Sequence, residues 1–246
     1  MQPDLSGAIG AVEWGESQLP ILSSRLRAWE AENVQLTAVD LNPPCGKMVA
    51  VASAKAPPSP ILQAEVGAII GSFRSALDLL CAALAARNGT SPSPDTHFPI
   101  FRSHQEMIDP KDGVEGKKWL STTEIRLIKS LHPYEGGNNL LWALHRLDIL
   151  RKHERLIACS DIPRIDYAFG RDLTFPTRAL DDVPSLKDKP QMFEFPRDRA
   201  KPDAQMSVQV TFDEIGLTAV YRRPVIETLD DFARLAHTII ERFDAR

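Results

Sequence analysis

The sequence predicts an α+β fold with a helical core, on three observations. Around 63–88 and 138–157, long stretches place apolar residues at three- and four-residue steps, the signature of buried helix faces. Two shorter stretches, 122–131 and 228–244, repeat that period. Near 34–53 and 207–222, apolar residues instead alternate with polar ones around turn residues, the period of half-buried strands. The expected architecture is one α+β domain over 1–246, with these four helices joined by an antiparallel or mixed sheet built from the two hairpins.

Taken in order, residues 1–16 contain Gly7, Gly10 and Gly15 and read as loosely ordered. A first helix is expected from about Leu19 to Glu32, with Leu22, Leu26 and Trp29 on one side and Pro20 in its first turn. Val34, Leu36 and Ala38 then alternate, Asn42-Pro43-Pro44-Cys45-Gly46 turns the chain, and Met48 to Ser53 returns as a strand. The helix over 63–88 carries Val66, Ile69, Ile70, Phe73, Leu77 and Leu80 on one face and ends at Asn88-Gly89, a pair suited to a left-handed cap. Residues 90–118 read as loop, interrupted by His97-Phe98-Pro99-Ile100-Phe101 folding back on the core. Ser121 or Thr122 caps the short helix at 122–131. Asn138 can cap the next, whose Leu140, Ala143, Leu144, Leu147 and Leu150 share one side while Trp142 and Ile149 lie on a second. A helix apolar over so much of its circumference is central rather than superficial. Strands are expected within 156–162 and 164–169, and the prolines and charges of 170–206 suit an extended surface excursion. Val208, Val210 and Phe212 begin the second hairpin. Thr228 can cap the last helix, whose stripe runs from Leu229 to Phe243.

Composition narrows the function classes. A net charge of −4 over 246 residues argues against holding nucleic acid by bulk charge. Three cysteines, Cys45, Cys81 and Cys159, are odd in number and lack CxxC spacing, which suits reduced thiols rather than a disulfide framework or a zinc site. No histidine pair has i,i+4 spacing and no HExxH occurs, so no metal is expected. No GxGxxG, P-loop or GxSxG is present, so no cofactor and no serine nucleophile are expected. No uninterrupted apolar run approaches the roughly 18 residues of a membrane helix, and the N-terminus lacks the basic flank of a signal peptide, so a soluble, cytoplasmic protein is expected.

Gly71-Ser72-Phe73-Arg74-Ser75-Ala76-Leu77-Asp78, then Phe98-Pro99-Ile100, His132-Pro133-Tyr134, Leu141-Trp142-Ala143-Leu144 and Lys152-His153, resemble in order and spacing a group of uncharacterised bacterial proteins with the pattern LRSALDHL, FPI, QPY, LWxL and DKHR. The likeness spans roughly 60–157. Leu79 stands where that pattern has His, and Arg151 and Glu154 where it has Asp and Arg. The resemblance implies relatives and no activity.

Two polar sets could carry function. Arg74 and Asp78, like Asp148 and Lys152, are one helical turn apart on the flank of an apolar face. They either close the core with ordinary ion pairs, or Arg74, Asp78, Lys152 and His153 converge on a binding pocket between the helices. Separately, Arg146 and His153 lie two turns apart with six residues between them, which is similar to the Arg-x4-6-His motif of HEPN-type ribonucleases. That resemblance implies a phosphate-handling arginine and a proton-handling histidine, working in a helical dimer that brings two such sets together. The expected function is therefore a non-catalytic interaction or small-ligand-binding protein, with an HEPN-like, active or degenerate, RNA-cleaving protein as the alternative. Only the alternative calls for a homodimer and for nucleic acid; the sequence names no other partner and assigns no enzymatic activity.

Overall fold

The structure, a computed structural model, describes residues 4–42, 47–157, 159–160, 191–196 and 209–244; for 35–42, 47–54, 160 and 191–196 it is the backbone that is described. The turn at 43–46, Cys45, the strand expected over 164–169 and most of the excursion over 170–206 lie outside these residues.

Six helices carry the fold. Helix α1 (Ser6–Asn33) packs along α2 (Pro60–Arg87), and α2 also meets α5 (Asn139–His153) and α6 (Val225–Asp244), so α2 is the hub. Most of its apolar side chains are buried: Val66, Ile70, Phe73, Leu77, Leu80 and Leu84 are fully enclosed, while Ile61 and Leu79 are exposed. By length and composition α2 could cross a membrane, which a count of uninterrupted runs overlooks because Arg74 and Asp78 break the run. Within this protein that apolar surface is covered by the other helices.

The helix ends have local causes. Ser59 caps α2, its side chain accepting from Leu62 N, and Pro60 takes the first helical position, so the helix starts three residues earlier than its apolar face. Gly89 follows it with φ +73, the left-handed conformation expected there. Helix α3 (His104–Met107) is a single turn. Helix α4 (Thr122–Ser130) opens on a capping box in which Ser121 and Glu124 satisfy each other's backbone N–H. Asn138 caps α5 through Leu141 N. Helix α6 begins at Val225 rather than at Thr228, whose hydroxyl donates to the Pro224 carbonyl inside the helix.

The start of the chain is not loosely ordered. Residues from Ser6 onward form a 28-residue helix, with Pro20 in its interior rather than its first turn. Ala8, Val12, Gly15, Leu22, Leu26 and Trp29 make its buried stripe. The glycines that suggested disorder include a contact position: a Cβ on Gly15 would lie 2.9 Å from Cζ of Phe73 and closer still to Cε1.

The α+β class is corrected by these elements. The described chain is mostly helical, and among the residues whose side chains are described the buried cluster comes from helices and loops apart from Cys159 and Phe212. Leu217–Arg222 forms turns instead of a returning strand. The chain returns only beyond these turns, where Phe212 N donates to Arg223 O, Arg222 N to Phe212 O and Val225 N to Val210 O around a single antiparallel bridge between Thr211 and Pro224. Among the described residues the two expected hairpins do not share a sheet: strands β1 (Val34–Asn42) and β2 (Lys47–Ala54) pair antiparallel and β2 pairs with β4 (Gln191–Pro196), while β5 (Thr211–Phe212) pairs with β3 (Cys159–Ser160).

Candidate functional site

Arg74 and Asp78 are brought together, and what they hold is backbone. Arg74 Nη1 donates to Asp78 Oδ1 at 2.5 Å and its Nη2 to the Phe98 carbonyl at 3.0 Å, while Phe98 N donates to the same Asp78 oxygen at 2.8 Å. Arg74 is 4% exposed and Phe98 1%. Both backbone polar groups of the buried Phe98 are thus satisfied by one ion pair, which pins the loop at 97–101 to α2.

Asp148, also 4% exposed, lies on α5 and accepts from Arg151 Nε at 2.8 Å and Lys152 Nζ at 2.6 Å. Arg151 runs across α2 at Gly67 and Gly71: a Cβ on Gly71 would sit 2.7 Å from Arg151 Nε. Two glycines one turn apart give the guanidinium its place between the helices. His145 packs its ring near Trp142, with centroids 5.8 Å apart. Burial, and then the charge of Arg74, push its pKa down to about 4, so the imidazole is neutral at ordinary pH.

Lys152 therefore belongs to Asp148 and not to the Arg74–Asp78 pair, and His153 is exposed on the last turn of α5. Arg146, half-buried, faces Glu154 at 3.9 Å. The seven-residue step to His153 separates the two along the helix by roughly 10 Å.

Arg146 instead lines an open cleft of about 500 Å³ with Trp142 and Leu150, at four-residue intervals on α5. The facing wall is built by three loops. Phe101 bridges Tyr134, with Phe101 N donating to Pro133 O at 2.9 Å, which lays Arg102 alongside Glu135 at the mouth. The tight loop from His132 to Asn138 sets this register: Asn138 N returns to His132 O, and a Cβ on Gly137 would lie 2.5 Å from that same oxygen. On the other side, Arg155 grips Glu214 with two bonds of 2.9 and 2.7 Å, which docks the turn at Gly216 and Leu217 against the end of α5. The cleft contains none of Arg74, Asp78, Lys152 and His153. Sequence reasoning missed Arg102, Glu135, Arg155 and Glu214, whose meeting depends on loops; the one local signal was the four-residue spacing of Trp142, Arg146 and Leu150 on α5.

The thiols are inert in their setting. Cys81 and Cys159 are free and buried, and burial raises both, Cys159 to about 12. Among the described residues no group of three His, Cys, Asp or Glu side chains could hold a metal ion. Comparison with family models, with curated proteins and with solved structures finds no match to this chain.

Proposed function

We propose that this is a non-catalytic small-ligand-binding protein whose site is the cleft between α5 and the loops at 101–102, 135 and 214–217. The observation that carries this reading is the ladder of Trp142, Arg146 and Leu150 facing a cleft of about 500 Å³ on a helix fixed by the core. That volume falls within the range of small-molecule sites, roughly 300–1,000 Å³. An aromatic ring, apolar side chains and a few charged groups converge there, which is the composition such sites use. Nothing in the cleft pairs a nucleophile with a base, so the reading stops at binding.

The test fills the cleft from its rim. A Cβ on Gly216 meets nothing within 4 Å, so Gly216→Trp can place a large ring at the mouth without disturbing the fold. In an NMR screen with a mixture of aromatic acids, alcohols and amines, shifts at the Trp142 indole N–H are expected in the parent and lost in Gly216→Trp at unchanged melting temperature. Binding indifferent to that substitution would place the ligand elsewhere. The ribonuclease alternative is tested beside it: RNA cleavage by the parent that vanishes in both Arg146→Ala and His153→Ala would replace the binding reading.

A further inference from the structure

We infer that the cleft selects a small ligand combining a flat ring with an anionic group, a carboxylate or a phosphate, held between Arg146 and Arg102 with its ring against Trp142. This rests on the binding reading above and adds the chemistry of what is bound. The chain is acidic, with a net charge of −4, yet three arginines line this one cleft. Arg155 is already neutralised by its two-bond grip on Glu214, a carboxylate only 4% exposed. The guanidinium of Arg102 has no ion-pair partner among the described residues, and Arg146 has only Glu154, 3.9 Å away and half exposed. Those two groups therefore retain donors for a bidentate partner. Opposing them are Glu135, exposed in the lining of the cleft, Glu154 beside Arg146, and Glu106, whose carboxylate accepts from the Arg102 backbone N–H rather than from its guanidinium. Trp142 lies one helical turn from Arg146, so a ring stacked on the indole presents a substituent to the guanidinium. A polyanion is disfavoured, because the acidic surface beyond the cleft would repel its remaining charges.

Four probes that share a benzyl or phenyl ring and differ in charge separate the possibilities: phenylacetate, phenyl phosphate, benzyl alcohol and benzylamine, each titrated by calorimetry into the full chain and into Arg146→Gln and Gly216→Trp. One or both anions are expected to bind about tenfold or more tighter than benzyl alcohol, and benzylamine weakest of all. The better anion identifies carboxylate or phosphate as the preferred group. Arg146→Gln should bring the anions to within about threefold of the alcohol while leaving the alcohol's own affinity in place. Benzyl alcohol or benzylamine binding as tightly as the anions, with binding lost in Gly216→Trp, would overturn the inference and keep the cleft as a site. Binding that survives Gly216→Trp, or no binding by any probe at millimolar concentration, would overturn both.

Discussion

Replacing Gly15 with alanine is the sharpest probe of how α1 and α2 are held together. Taken alone, a helix interior gains about 0.8–1 kcal/mol when Gly becomes Ala, because the backbone loses less entropy on folding. Against this stands Phe73: its ring lies within 2.9–3.0 Å of the new Cβ at Cζ and Cδ1, closer at Cε1, and is fully enclosed. A buried ring has no free direction in which to withdraw, so the added methyl overpacks the interface, at a cost of about 1–3 kcal/mol. The balance is a loss of up to about 2 kcal/mol, or as much as roughly 4–8 °C in melting temperature for a chain of this length. In a Phe73→Leu background the obstacle is gone, and Gly15→Ala should become neutral or stabilising, a reversal that a double-mutant cycle measures directly. If Gly15→Ala raises the melting temperature in the wild-type background, the close approach of the two helices at this point is wrong.

Asp78→Ala should cost about 2–4 kcal/mol in urea denaturation, since it takes the counter-ion from the buried Arg74 guanidinium, which keeps its bond to the Phe98 carbonyl, and leaves the buried Phe98 N–H without its acceptor; a change no larger than that of exposed Lys111→Ala would refute the clamp. Burial raises the Glu124 carboxyl, but bonds from Arg87, Ser121 and Asn88 outweigh it and hold the pKa below its ordinary 4.5. Its contribution is thus present above pH 4.5 and lost as pH falls through the lowered folded value, and Glu124→Gln should flatten acid unfolding there. His145 works in the opposite sense: neutral in the fold down to about pH 4 but protonated below 6.5 when unfolded, it makes stability fall as pH drops from 6.5 towards 4, and His145→Gln should remove that slope in melts across the window. Cys81 and Cys159 should resist a thiol reagent at pH 8 until the protein is denatured, because burial keeps both protonated.

The long helices were legible because their apolar residues follow the helical period closely: Phe73, Leu77, Leu80 and Leu84 are all buried as their spacing demands. The caps at Asn138 and Ser121 and the turn at Gly89 were legible for the same reason, since each depends on a single residue and its immediate neighbours. Helix α1 was misjudged because Gly7, Gly10 and Gly15 weaken helix propensity locally, whereas its stability comes from lying along α2, which no local window contains. Val208, Val210 and Phe212 alternate as a strand would, and Thr211–Phe212 is one, but 217–222 forms turns and the chain comes back along it only at 222–225, since tertiary context decides such short segments. At the site, Arg74 and Asp78 were identifiable as a pair, while their hold on Phe98 was not, because a side chain that bonds distant backbone leaves no spacing to read. The cleft was the least legible part. Its Arg102, Glu135 and Glu214 come from three separate loops.

The bonds between Asp78, Arg74 and Phe98 make the cleft an outpost of the core. Four residues beyond Phe98, the same strap of chain delivers Arg102 to the mouth. Occupancy and folding are then two faces of one equilibrium. On the proposed binding reading, a ligand that orders Arg102 also orders the strap that Asp78 holds to α2, and by thermodynamic reciprocity whatever loosens that strap weakens the ligand by the same free energy that the ligand returns to it. Losing the clamp in Asp78→Ala would then lower affinity by no more than that coupling, although Asp78 never touches the bound molecule.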